Sequence, residues 1–209
     1  MGFLDKLGGR YAVKKFNSQE ISESDLEKVL EAIRMSPSAS GLQPYHIIVI
    51  RDQALREKLF EYAKGNPKIL SCSHLFIFCS RLDFPKRVED FIAEVKKTRN
   101  QTDEDVALYR ESLLKGVAVK SPEELRVWAG KQTYLALGFG LAAAAELSID
   151  SGPMEGFKKE EFKRILGLPE QVYPEVLMAI GYRDPTDENQ PEFRKKVRFT
   201  KDELFDFRY

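Results

Sequence analysis

Apolar positions change their spacing repeatedly along this chain, and each change marks an element. Leu26, Val29, Leu30 and Ile33 recur at helical intervals, so Ile21–Met35 reads as an amphipathic helix. Ser22 and Asp25 stand in a capping-box relation at its start. Ser36-Pro-Ser-Ala-Ser-Gly41 ends it, because Pro and Gly forbid continuation. His46-Ile-Ile-Val-Ile50 is then an unbroken β-branched run, which predicts a strand buried on both faces. Arg56–Lys64 returns to helix and ends near Gly65-Asn66-Pro67; Leu75-Phe-Ile-Phe-Cys79 predicts a second buried strand.

From Lys86 to Lys120 the pattern is charge-rich with scattered apolar residues, which predicts one or two exposed helices with a flexible connection. Pro122-Glu123-Glu124 opens a long helix running through Leu147. Its interior from Tyr134 to Ala145 is apolar on nearly every side, so the helix is expected to be buried nearly all round. The small residues on it suit either a core or an obligate dimer interface. Ser151-Gly-Pro-Met-Glu-Gly156 carries strong turn chemistry and predicts a loop. A short helix at Lys159–Leu166, a strand at Glu175–Gly181 and a polar tail after Tyr182 complete the pattern. No repeat or composition break divides residues 1–209, so the reading is one α+β domain with helices on both faces of a mixed sheet.

Length and charge narrow the classes. At 209 residues the chain can bury a full core. Lys plus Arg and Asp plus Glu both total 33, which argues against a nucleic-acid coat or a polybasic membrane anchor. No apolar run reaches membrane-spanning length, and the amino terminus lacks the apolar stretch of a secretory signal. Cys72 and Cys79 match neither a zinc knuckle nor a redox CxxC and read as buried free thiols. The expected compartment is the cytoplasm.

Three basic clusters stand far apart in sequence: Arg10 with Lys14 and Lys15, Lys68 beside Asn66, and Lys195-Lys196-x-Arg198. Each alone is an ordinary solvated patch; converging beside the turn-rich segments 36–43 and 151–156, they would suit a phosphorylated ligand. Gly138-x-Gly140-x-x-Ala143 formally matches a dinucleotide fingerprint but lies inside a helical run, where glycines serve packing. His46 and His74 have no partners at ligand spacing and read as hydrogen-bonded core histidines, so no metal site is expected. Neither a nucleophile elbow nor a P-loop is present. Basic loops without proton-transfer machinery point to a cofactor that carries the chemistry.

Arg10-Tyr-Ala-Val-Lys14-Lys-Phe16 followed by Ser36-Pro-Ser-Ala-Ser-Gly-Leu-Gln43-Pro44-Tyr45-His46 resembles the opening signature of the FMN-dependent nitroreductases. The likeness continues through Gly65-Asn-Pro-Lys68, Lys131-Gln-Thr-Tyr134, Gly152-Pro-Met-Glu-Gly-Phe157, Ile180-Gly-Tyr182 and Lys196-Val-Arg198-Phe199. Each block is weak alone, but the ordered set spans nearly the whole chain. The branch most resembled is the oxygen-insensitive NAD(P)H nitroreductases, which includes dihydropteridine reductase.

The resemblance implies an α+β homodimer with a long apolar helix at its interface and FMN bound between subunits. Arg10, Lys196 and Arg198 would clamp the phosphate and ribityl end, with Tyr11 and Ala12 continuing that segment. Lys14 and Lys68 would approach the N1/O2 edge of the ring, and Asn66 the N3/O4 edge. Pro37, Ser38, Ala39 and Ser40 would pack on the cofactor from the partner subunit, with Gln43-Pro44 shaping that loop. Pro153, Met154, Glu155 and Gly156 would run past the ring, with the Glu155 N–H facing N5. Lys14, Lys68 and Glu155 are therefore the implied catalytic positions, whereas Phe16, Tyr134 and Phe157 fall to the core. Ala12 stands where many relatives have a phosphate-binding Ser, Gly41 replaces a common Asn and Ala39 a common Ser. The implied activity is ping-pong oxidoreduction, from NADH or NADPH through flavin N5 to a nitroaromatic or quinone-type acceptor. Reductive dehalogenation, flavin fragmentation and flavin binding without turnover are the rival readings.

Overall fold

A four-stranded sheet organises the computed structural model, which describes residues 2–209. Its strands are β1 (Tyr45–Ile50), β2 (His74–Arg81), β3 (Asp150–Met154) and β4 (Val172–Gly181), in the order β1-β2-β4-β3. All three pairings are antiparallel. The parallel component expected of a mixed sheet is confined, among the described residues, to an isolated bridge between Ala12 and Ser151. The helices are α1 (Phe3–Gly9), α2 (Glu23–Arg34), α3 (Gln53–Phe60), α4 (Lys68–Ser71) and α5 (Lys86–Arg99). They continue with α6 (Asp103–Ala118), α7 (Pro122–Glu146), α8 (Lys159–Ile165) and α9 (Lys201–Leu204).

The core is double because successive side chains of β2 and β4 point to opposite faces. Leu75, Ile77, Leu177 and Ala179 meet Leu59, Ile69 and Phe162 from α3, α4 and α8. On the other face Phe76, Phe78, Val176, Met178 and Ile180 meet Val29 and Ile33 of α2 and Ala136, Leu137 and Ala144 of α7. Gly140 lets α7 seat closely there: a Cβ at that position would lie 3.1 Å from Ile33 and 3.2 Å from Met178. A third cluster, with Leu42, Val88, Ile92, Val106 and Leu113, closes α5 on α6.

Three expectations are corrected. β1 is an edge strand: among the described residues it pairs only with β2, residues 45–49 are partly buried at most, and His46 is exposed rather than in the core. A β-branched run specifies a strand but not its place in a sheet. The segment after Asp150 is not a loop but the other edge strand, and Pro153 is tolerated there because an edge residue needs no second ladder partner. The connection between α5 and α6 is a short capped turn: Asn100 adopts left-handed φ of 54° and Thr102 forms a capping box with Asp105. Finally, α7 is not buried all round in the single chain. Val127, Tyr134, Leu135 and Phe139 remain 40–47% exposed along one flank.

Candidate active site

The first cationic segment is laid against β3 by the Ala12–Ser151 bridge and by Val13 N–H donating to Ser151 O at 3.2 Å. The carboxy-terminal tail then returns across it. Tyr11 Oη donates to Arg194 O at 2.7 Å, and Asn189 Nδ2 donates to Ala12 O at 2.7 Å. Lys196 Nζ donates to Leu7 O at 2.6 Å and Arg10 O at 2.7 Å, and lies 4.9 Å from the Tyr11 ring centre. Two of the three basic clusters, at opposite ends of the sequence, thus become one structure.

Between them lies a cleft of about 420 Å³ lined by Arg10–Ala12, Asn189 and Arg194–Arg198. It holds five cationic side chains and no acid. Burial first, and the adjacent Arg198 second, lower the Arg10 pKa; burial, Arg10 and Arg198 likewise lower that of Lys196. Arg10 Nη1 is buried without a hydrogen-bond partner. A desolvated guanidinium crowded by like charge is a site for a multiply charged anion.

The third cluster joins at the other end of the same segment. The chain turns through left-handed Lys64 and Gly65, and Asn66 Oδ1 accepts Lys68 N–H at 3.2 Å as α4 begins. This leaves Lys68 only 3% exposed against β3, where a Cβ at position 152 would lie 2.9 Å from Lys68 Cδ. Burial, and then the like charge of Lys14, bring the Lys68 pKa from 10.5 down to about 8. The Lys14 backbone is held by the 187 carboxylate, at 2.6 Å from its N–H to Asp187 Oδ2. Met154 is buried in the core cluster that also holds Phe157. Glu155 and Gly156 are exposed at the strand end, and Glu155 Oε1 accepts from Tyr134 Oη at 2.6 Å.

Pro37, Ser38, Ala39 and Ser40 sit elsewhere. Ala39 N–H donates to Gln132 Oε1 at 2.8 Å, Gln43 N–H to Ser38 Oγ at 2.9 Å, and Tyr109 Oη to Ser40 O at 3.2 Å. None of them lines the cationic cleft; Ala39 and Ser40 border a separate cavity of about 180 Å³ with Leu42, Leu113 and Trp128. Within one chain they are not brought to the lysines. Phe16 and Phe157 are buried as expected, but Tyr134 is 40% exposed, so its assignment to the core is corrected: its hydroxyl serves Glu155. His74 is buried with Nδ1 2.8 Å from Ser73 Oγ. Cys72 and Cys79 are buried free thiols, the latter pushed up to about 12 chiefly by burial.

The sequence reasoning missed Asp187, Asn189 and Gln132, which hold the two site segments in place. The first two lie in a polar tail without periodicity, and nothing in their spacing singles them out.

The chain is similar in sequence and fold to known proteins. A Bacillus subtilis protein, YfkO, provisionally described as an NAD(P)H nitroreductase, is 36% identical over 213 residues that cover 93% of each chain. A Staphylococcus aureus (strain USA300) protein of the same provisional description is 36% identical over 191 residues, 86% of each chain. An Exiguobacterium sibiricum structure, provisionally described as a nitroreductase and solved in complex with FMN, superposes with a TM-score of 0.87. It covers 100% of this chain and 98% of its own at 18% identity, a likeness of fold. Residues 7–182 match the sequence model of the Nitroreductase family, and the chain belongs to that family.

Proposed function

We propose that this chain is an FMN-dependent NAD(P)H oxidoreductase, working as a cytoplasmic homodimer and reducing small nitroaromatic or quinone-type acceptors. The observation that carries the reading is Arg10: it lines an acid-free cationic cleft, and its Nη1 is buried without a hydrogen-bond partner. A buried donor left without an acceptor is uncommon and destabilising, and a phosphate supplies the missing acceptor. Arg10, Lys196 and Arg198 would hold the FMN phosphate. Ala12 has no hydroxyl to offer, and Tyr11 Oη is already engaged by Arg194 O, so that end rests on cations.

When bound, FMN would supply two-electron chemistry between NADH or NADPH and an acceptor that would use the same site in turn. Lys14 and Lys68 place positive charge along one edge of the site, where it favours the more negative reduced ring. With a pKa of about 8, Lys68 is largely protonated at neutral pH. Asn66 adds a polar edge, and the backbone of Pro153 to Gly156 a close wall with the Glu155 N–H as donor. Pro37, Ser38, Ala39 and Ser40 would serve the partner subunit's cofactor; the hydrogen bonds of this segment and the cavity it borders include neither Lys14 nor Lys68 of their own chain. The exposed flank of α7 is the surface such a dimer would cover.

Turnover tests the reading. FMN-loaded protein is expected to oxidise NADH or NADPH rapidly once a quinone is added. A yellow protein that leaves both nucleotides unoxidised with quinones and nitroaromatics alike would be a flavin carrier instead. Sedimentation is expected to give a dimer; a monomer that retains FMN tightly contradicts the shared site.

A further inference from the structure

The turn after β4 lies beyond the residues matched to the family, yet it is tied to the cationic segment at several points. Asp184 N–H donates to Lys15 O at 3.0 Å, and Lys15 Nζ pairs with Asp184 Oδ2 at 3.0 Å. Asp187 is only 5% exposed. Its Oδ2 accepts the N–H groups of Lys14 at 2.6 Å and Lys15 at 3.1 Å, and its Oδ1 accepts that of Asn189 at 2.8 Å. Asn189 in turn holds Ala12 O. A buried carboxylate thus lies against the segment that carries Lys14.

We infer that Asp187 is a positioning residue for the Lys14–Lys68 edge: it fixes Lys14 through the backbone and supplies the countercharge that two clustered ammonium groups need. The role deepens the proposed flavin site and rests on it, since the two lysines act together only where an electron-rich ring edge meets them. Burial alone would raise the Asp187 carboxyl, but the three backbone N–H donors, with Arg183 nearby, take it below its ordinary range. It is therefore ionised at neutral pH. The groups facing Lys68 are Lys14, which lowers its pKa, and Asp187 and the Cys72 thiol, which raise it; β3 presents the uncharged Gly152. Asp187 is the only carboxylate among those neighbours, and it is buried, where screening by salt is weak.

The rival is a clamp whose charge is incidental. Asp187→Asn separates the two: it removes the charge and keeps one oxygen to accept the Lys14 and Lys15 N–H groups, at the loss of the bond from Asn189 N–H. Asp187→Glu keeps the charge and displaces the oxygens. The readout is the titration of Lys68 by NMR in full-length protein carrying 13C-labelled lysine, with Lys68→Met assigning the resonance. The Lys68 midpoint is expected to fall by roughly half a pH unit or more in Asp187→Asn, as removal of a nearby opposite charge requires. It should stay with the parent in Asp187→Glu. Should the amide variant not fold, Asp187→Ser removes the charge and gives the same reading of Lys68. In FMN-loaded protein, the pH above which FMN affinity declines should move down by the same amount in Asp187→Asn alone. An unchanged Lys68 midpoint in the uncharged variants overturns the inference, as does an equal fall in Asp187→Glu. A parent chain that takes up no FMN would overturn the flavin reading separately, leaving the NMR result to report the charge coupling.

Discussion

Lys68→Met should make the flavin-free protein more stable and a poorer host for FMN. Lys68 is 3% exposed and forms no ion pair among the described residues, and burial with Lys14 brings its pKa from 10.5 to about 8. At about 1.4 kcal/mol per pH unit, keeping that ammonium charged in the native state costs about 3 kcal/mol. Below the folded value near 8 the amine is charged in native and unfolded chains alike, and the whole penalty applies. Between about 8 and 10.5 the unfolded chain binds more protons than the native one, so stability rises with pH. Methionine matches the unbranched stem without the charge. Urea denaturation of flavin-free protein at pH 7 should therefore show Lys68→Met more stable by about 2–3 kcal/mol. The gap should shrink steadily above pH 8 and be nearly gone by the unfolded value. A variant no more stable than the parent at pH 7 would refute the claim that this lysine is held charged at a cost to the fold. A destabilised, charge-bearing position that survives in a native sequence is the expected mark of function.

Three further perturbations separate anchoring from chemistry. Arg198→Ala should weaken FMN binding by about 1.5–3 kcal/mol, with saturating FMN restoring most turnover. Lys14→Met should lower the flavin midpoint potential and leave turnover low at any FMN concentration, because the charge it removes favours the reduced cofactor; an unchanged potential removes that role. Gly152→Ala should destabilise the protein by about 1–3 kcal/mol in thermal or urea unfolding. Its Cβ would meet Val13 O and Lys68 Cδ, both at 2.9 Å, and the carbonyl is backbone that cannot swing aside.

Much of this molecule was legible because hydrophobic spacing is local. Helix α2 and its Ser22 cap, strand β2 and the extent of α7 follow from windows of a dozen residues. Sheet position does not, since β1 and β2 are similar apolar runs and only topology makes one an edge. Turn chemistry misled at Gly152 and Pro153 for a related reason: the residues that break a central strand are accepted on an edge beside β4. For the site, Arg10, Lys14, Lys68, Lys196 and Arg198 were visible as charge clusters, and the family resemblance gave their order. Their support was not visible. Asp187 and Asn189 bind backbone atoms 170 or more positions away, and no periodicity records such a contact. The exposure of Tyr134 was likewise hidden inside an apolar run, because a helix that faces a partner reads like one that faces a core.

The central claim is that the cationic cleft and the lysine edge together hold FMN. Titration of flavin-free protein with FMN, followed by flavin absorbance and fluorescence and by stoichiometry on the separated complex, measures it directly. The account predicts a yellow protein saturating at about one FMN per chain, with affinity falling as pH rises above the Lys68 value near 8. A protein that stays colourless and leaves flavin fluorescence unchanged at saturating FMN would contradict it.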